Sequence, residues 1–331
     1  MSEIDHSFHL TGNVVDVVAG RVYPAAVEIT AGRIASITPV AQRQSTFLMP
    51  GFVDAHVHIE SSMLVPSEFA RAAVVHGTVA SVSDPHEIGN VLGVGGVRYM
   101  LDNAHGIPFH FCFGAPSCVP ATCFETAGAE ITAEEVATLL DDPRIAYLSE
   151  MMNFPGVLSG DAQVMAKITA ARDRGKPVDG HAPGLRGEVA RTYFAAGITT
   201  DHECTERDEA EEKIGYGVKV AVREGSAARN FDVLASLIDR YPDHCFLCSD
   251  DKHPDELLLG HIDRLARRAI GRGIDPMKVF RAACVNPVLH YGLQVGLLRP
   301  GDWADLIEVD SLDRLEVLRT YVRGQRVAEA G

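Results

Sequence analysis

From residue 50 to residue 249 the sequence alternates short strand-like runs with helix-like ones, and eight rounds can be counted. The strand-like runs cover 52–57, 78–83, 109–113, 145–150, 177–181, 198–202, 218–222 and 245–249. The first is an apolar, β-prone run (Phe52, Val53, Ala55, Val57) entered through a Pro50-Gly51 turn, which reads as a buried strand. Between the runs lie expected helices over 66–76, 91–104, 133–140, 161–174, 186–196 and 231–241. Several stop at a glycine, as in His76-Gly77, Arg174-Gly175 and Ala196-Gly197, where a helix end is favoured. Eight βα units in one chain predict an α/β fold, a closed parallel (β/α)8 TIM barrel. A chain of 331 residues, 46% of them hydrophobic, has material for such a core.

The two ends read differently. Residues 8–48 are short apolar runs (13–18, 26–30, 34–38) separated by turns, the pattern of small antiparallel strands. After the eighth strand come expected helices over 255–272 and 276–284, and then strands again at 304–309 and 317–322. Both ends are expected to build one small β-sandwich beside the barrel, with 1–50 and 291–331 forming it and 51–290 forming the barrel.

Composition narrows the function classes. Formal net charge is −15 without a concentrated basic run, which argues against nucleic acid or an anionic membrane as partner. No apolar segment is long enough to span a bilayer, and residues 1–20 do not read as a secretory signal. The seven cysteines are odd in number and mostly sit in apolar or strand-like surroundings. They read as reduced thiols of a cytoplasmic protein rather than a disulfide framework.

In this architecture chemistry sits at the carboxyl ends of the strands. His56 and His58, two apart, point to the same side at the end of strand one. Strand two leads into Asp84-Pro85-His86-Glu87, strand four ends in Glu150, strand five in His181, strand six in His202-Glu203 and strand eight in Asp250-Asp251. Each alone has a plain structural explanation: a strand end, a salt bridge, a helix N-cap. Their placement on one rim points to a metal centre. Four imidazoles and two carboxylates exceed one tetrahedral ion and suit a pair, with Glu150 as bridge because strand four lies between the other ligand strands. Water between two cations is acidic enough to supply hydroxide near neutral pH, and Asp250 is placed to accept its proton and pass it to the leaving group. Asp250, Glu150 and His202 are the expected catalytic residues.

The stretches 50–64, Asp84-Pro85-His86-Glu87-Ile88, 117–122, 150–157, 179–184, 201–205 and 223–226, with the Asp250 region, carry a resemblance over nearly the whole chain. It resembles the amidohydrolase superfamily and, within it, the members that deaminate adenine. The resemblance implies hydrolysis of adenine at C6 to hypoxanthine and ammonia on two divalent metal ions. It implies ligation by His56, His58, Glu150, His181, His202 and Asp250, with Glu150 where many superfamily members have a carboxylated lysine. Family precedent favours Mn(II) or Fe(II), and the thiolate-free N/O ligand set permits either, or Zn(II). His86, Glu87, Arg223 and Glu224 are candidate contacts to a small-molecule purine. Family members usually continue into a further C-terminal domain, whereas this chain stops at Gly331. That leaves open a homo-oligomer or a separate C-terminal domain chain as partner.

Three rivals are weighed. His58-Ile59-Glu60 with Cys245-Phe246-Leu247-Cys248 echoes the zinc nucleobase deaminases, but those place Pro directly before the first cysteine, and here Pro242 is separated from Cys245. That reading is rejected. Another amidohydrolase, a deaminase of 6-substituted purines or a cyclic-amide hydrolase, shares the metals; the latter lacks the Glu150 bridge. A non-catalytic subunit of a split enzyme would not need an intact ligand set.

Overall fold

The structure, a computed structural model, describes residues 7–122 and 124–330. Expectations that fall on residues 1–6, Cys123 and Gly331 lie outside the described residues. Four strands open the chain: β1 (Phe8–Asp16), β2 (Arg21–Thr30), β3 (Arg33–Pro39) and β4 (Phe47–Pro50). The barrel strands follow as β5 (Phe52–His58), β6 (Thr78–Ser83), β7 (His110–Ala115), β8 (Ile145–Met151), β9 (Val178–Gly180), β10 (Thr200–Asp201), β11 (Lys219–Arg223), β12 (Cys245–Cys248) and β13 (Asp250–Asp251). The last three are β14 (Leu306–Val309), β15 (Val317–Val322) and β16 (Gln325–Glu329).

All barrel pairings are parallel, in two ladders, β13-β5-β6-β7-β8-β9 and β10-β11-β12. Two seams join them. At one, the Thr199 amide donates to the Val178 carbonyl (2.9 Å) and the Gly180 amide to Thr200 Oγ1 (3.1 Å). At the other, the Ser249 amide donates to Asp54 Oδ1 (2.9 Å), and β13 continues β12 and pairs Asp250 with Val57 and Asp251 with His58. Eight strand positions therefore curl into a TIM-type barrel, as the βα count requires. Inside it Ala55, Val82, Cys112, Tyr147, Ala221, Phe246, Cys248 and Tyr291 pack together.

The helices follow the apolar period where it is clear and depart where it is not. The run expected over 255–272 is two helices, Pro254–Leu259 and Ile262–Gly271, because Gly260 takes a φ of 152° between them. The expected helix 91–104 begins earlier and spans His86–Asn103, with a kink at Gly93. Two helices not expected, Phe154–Ser159 and Arg207–Gly215, follow β8 and β10. Among the described residues six cysteines are free and buried, and no helix is long and apolar enough to cross a membrane.

Both chain ends join one seven-stranded sheet of order β16-β15-β14-β4-β1-β2-β3. It curls over itself, so that Phe8 stacks on Tyr321 at 5.8 Å and Val14, Val27, Leu48 and Leu306 share one core. β4 carries the chain directly into β5 through Gly51, where a Cβ would meet Val79 at 2.3 Å. Asp305 fastens this sheet to the barrel. Its buried carboxylate accepts from the amides of Gly296 (2.9 Å) and Arg323 (2.8 Å), and His110 Nε2 lies 2.9 Å away.

Asp305→Ala leaves the buried Gly296 amide without a partner, removes the part-buried bond to the Arg323 amide and the contact with His110, and is expected to destabilise the fold by about 3 kcal/mol. Removing the exposed Arg21–Asp16 pair is expected to change stability by less than about 1 kcal/mol; urea unfolding of both variants measures the contrast. A second expectation concerns pH. Burial, and then the charge of Lys219, lower His290 from 6.5 to about 4. The unfolded chain therefore takes up the extra proton, so this contribution is complete above pH 6.5 and is lost as pH falls toward 4. His290→Gln should flatten that part of the stability–pH curve.

Candidate metal centre

Successive residues of a strand face opposite sides, so His56 and His58 at the end of β5 enter the barrel mouth together. Glu150 arrives on β8, His181 follows β9, His202 follows β10, and Asp250 opens β13. β9 and β10 approach closely enough that a Cβ on Gly180 would lie 2.3 Å from the Thr200 carbonyl, which brings His181 and His202 side by side. Asp250 is a non-glycine residue at φ 57°, a left-handed conformation that costs roughly 1–2 kcal/mol.

The six expected ligands meet. Glu150 Oε1 lies 3.2 Å from His58 Nε2, and its Oε2 lies 2.6 Å from His181 Nδ1 and 3.2 Å from His202 Nε2. Asp250 Oδ1 lies 3.4 Å from His56 Nε2 and 3.3 Å from His58 Nε2. The rings of His56 and His202 stack at 4.1 Å. All are buried except His181, which is partly open.

The four expected purine contacts part company. His86 joins the cluster, with Nδ1 3.2 Å from Asp84 Oδ2 and 3.6 Å from Glu150 Oε1. Glu87 stands at the edge, where Ser61 Oγ reaches both its Oε1 (3.2 Å) and Asp251 Oδ1 (2.5 Å). Arg223 is committed to carboxylates: Nη1 donates to Asp250 Oδ2 and Glu203 Oε1, each at 2.6 Å, and Nη2 to Glu203 Oε2 at 2.8 Å. Glu224 points elsewhere and pairs with Arg268 Nη1 at 2.6 Å.

Two rim residues that were not among the six expected ligands join the cluster. Asp84 groups with His58, His86 and Glu150, and Glu203 groups with His181 and His202. Both adjoin or nearly adjoin a histidine already singled out, which is the signal that could have found them. A further group, Asp201, Cys204 and Glu209, already holds a cation. Lys213 Nζ donates to Asp201 Oδ2, Glu209 Oε1 and the Ala182 carbonyl, all at 2.7 Å, and so ties together the loops that carry His181 and His202.

Electrostatics follow from crowding. Burial would raise the Glu150 carboxyl, but the charge of His202 and hydrogen bonds from His181, His202 and His58 hold it well below the usual carboxylate range. Burial likewise works to raise Asp250 and is outweighed by His56 and His58. Glu203 is held at about 2, against burial, by His202, His181 and Arg223. His58 and His202 are pushed well above 6.5 against burial, His58 by Asp250 and Glu150 and His202 chiefly by Glu150; burial and the charge of His202 keep His56 low.

The donor set fits divalent cations. Four carboxylates (Asp84, Glu150, Glu203, Asp250) face one guanidinium, so with neutral imidazoles three negative charges stay uncompensated. These carboxylates favour protons on His58 and His202, and cations would displace such protons, because only a neutral imidazole ligates. His56 Nε2, Asp84 Oδ2 and His86 Nδ1 are buried without a well-formed hydrogen bond. His58 Nδ1 lies 3.1 Å from the Asp84 carbonyl, an arrangement that assigns the proton to Nδ1 and frees Nε2 for an ion.

Comparison with known proteins finds relatives along nearly the whole chain. The chain is 60% identical over 325 residues to the adenine deaminase of Salinibacter ruber, covering 98% of this chain and 60% of that protein. It is 55% identical over 319 residues to the adenine deaminase of a Sulfurovum species, with 96% and 60% covered. It is 52% identical over 323 residues to that of Methanothermobacter thermautotrophicus, with 97% and 59% covered. The chain thus spans about 60% of the length of the curated relatives it matches. Among solved structures, a beta-aspartyl dipeptidase of Fervidobacterium islandicum superposes with a TM-score of 0.72 at 12% identity, covering 98% of this chain and 97% of that one. The N-acetyl-D-glucosamine-6-phosphate deacetylase of Mycobacterium smegmatis does so with 0.69 at 19%, covering 97% and 100%. At such identities they share the fold alone. The model of the amidohydrolase family matches residues 47–327, and the chain belongs to that family.

Proposed function

We propose that this centre binds two divalent cations, with Mn(II) or Fe(II) favoured and Zn(II) permitted, and that the protein hydrolyses adenine to hypoxanthine and ammonia. The observation that carries the reading is the convergence of His56, His58, Glu150, His181, His202 and Asp250 on one buried cluster. Substrate choice is supported by the adenine deaminase names of relatives 46–60% identical along nearly all of this chain. Such a reaction belongs to purine salvage and catabolism. Buried, unpaired thiols support a reducing, cytoplasmic setting. We take 51–290 as the barrel domain and 1–50 with 291–331 as the small β domain.

When bound, a cation pair of this kind acidifies water and polarises the group under attack. The chain's own residues do the rest. Glu150 faces His58 with one oxygen and His181 and His202 with the other, so with those histidines it would hold the cations. Asp250 accepts the proton of the attacking water on the oxygen not held by Arg223 and delivers it to the departing amine. The oxygen enters at C6, the C6–amine bond breaks, and nitrogen leaves as ammonia. His202 holds Glu150 and positions the attack. His86, beside Glu150, and Glu87, at the edge, are the purine contacts of this reading, while Arg223 acts by fixing Asp250.

Purified protein loaded with Mn(II) or Fe(II) should release ammonia from adenine, lose the activity to a chelator and regain it with metal. Turnover of hydantoins or dihydropyrimidines, with none of adenine, would instead favour the cyclic-amide reading. Asp250→Asn should retain the fold while turnover falls by roughly 10²–10⁴, the usual value of a positioned proton acceptor. Glu150→Gln should lower the content of both ions together, read by elemental analysis; an unchanged content overturns the bridge.

A further inference from the structure

Beneath the cluster, at the seam where the barrel closes, lies a polar group that none of the chemistry above uses. Asp54 sits inside β5, fully buried, two residues before His56. Its carboxylate accepts from the Ser249 amide (2.9 Å at Oδ1), from the Ser249 hydroxyl, and from His261 Nε2 (2.7 Å at Oδ2). The His56 amide lies 3.4 Å from Oδ1. His261 Nδ1 in turn lies 2.8 Å from Thr78 Oγ1, so Thr78 donates to His261 and His261 to Asp54. Ser249, His261 and Thr78 are all buried.

This is not a nucleophilic triad. The Ser249 hydroxyl donates to the carboxylate rather than to the histidine, and no member reaches solvent. Its place in the fold gives the meaning. Backbone pairing between the first and eighth strand positions is present at Asp250 and Asp251 and does not extend down to β12. Below that point the side chain of Asp54 does the joining, through both polar groups of Ser249. The very next residue is Asp250, held at φ 57°, a conformation that persists only where neighbours impose it. From the other side Arg223 holds Asp250 Oδ2 and the Ser226 amide donates to the Asp251 carbonyl (2.6 Å).

We infer that Asp54, backed by His261 and Thr78, is a positioning residue that sets Asp250 against His56 and His58 by gripping Ser249. The inference rests on the reading of Asp250 as a metal ligand and proton acceptor.

The test compares Co(II)-loaded wild type with Asp54→Asn, Ser249→Ala and Asp250→Asn. Visible absorption and the rate of metal release to a chelator are read on each, with thermal unfolding as the check on folding. Asp54→Asn should shift the Co(II) spectrum in the same sense as Asp250→Asn and weaken metal retention by about 10- to 100-fold. Its kcat for adenine should fall by a similar factor with KM within about twofold, because the purine contacts are untouched. Ser249→Ala keeps the amide bond and should move each readout the same way by a smaller factor; it decides the matter if Asp54→Asn does not fold. Folded variants with wild-type spectra and metal release overturn the inference, whatever their stability. A wild type that retains no metal overturns this inference together with the metal centre. A wild type that retains metal but leaves adenine unchanged overturns the adenine reading alone, and the Co(II) spectra then decide for or against Asp54.

Discussion

A single buried carboxylate, Glu150, meets imidazoles from three different strands within 3.2 Å, and the rest of the site is arranged around that contact. Such a charge in a protein interior costs several kcal/mol unless it is paired, and pairing it with three side chains requires the strands that carry them to turn toward one point. The curled sheet does this here. The barrel is thus the device that makes the ionised group tolerable, and its apolar interior and helix-facing layers supply the stability that the crowded polar mouth consumes.

That crowding was legible in the sequence to an unequal degree. The eight βα rounds could be read because most barrel strands carry a β-prone run bounded by turns, and the candidate ligands because they stand at the ends of those runs. β4, β13 and β16 were missed: they run four, two and five residues and give too little pattern to register. The helix Arg207–Gly215 was missed because RDEAEEKIG is almost wholly polar; Glu209 and Lys213 are buried there through ion pairing that no periodicity reveals. Asp84 and Glu203 stood on the rim in the sequence, but the histidines beside them drew the ligand assignment.

Arg223 and Glu224 make the point about adjacency. Both are candidate purine contacts by sequence, yet neighbours at a strand end face opposite ways, so Arg223 turns into the mouth and Glu224 out to Arg268. Even Arg223 does other work than its charge suggested. A guanidinium among four carboxylates is spent on them before any ligand arrives, which is a property of the assembled site and invisible in a list of residues. Conversely, nothing in the sequence marks Asp54 just before His56, because its partners Ser249 and His261 come from nearly 200 residues and more away.

The shared sheet at the two chain ends has a consequence in time. β4 pairs Phe47 with Val309 and Pro50 with Leu306, so one edge of β4 has no partner until the whole barrel has been synthesised. At about 5–20 residues per second that interval is on the order of 10–50 s. Throughout it, the apolar strand Phe47-Leu48-Met49 stands at the open edge of a half-built sheet, the kind of surface that recruits another nascent chain. The exposure of that edge during synthesis is thus a property of the chain order, separate from the stability of the finished barrel.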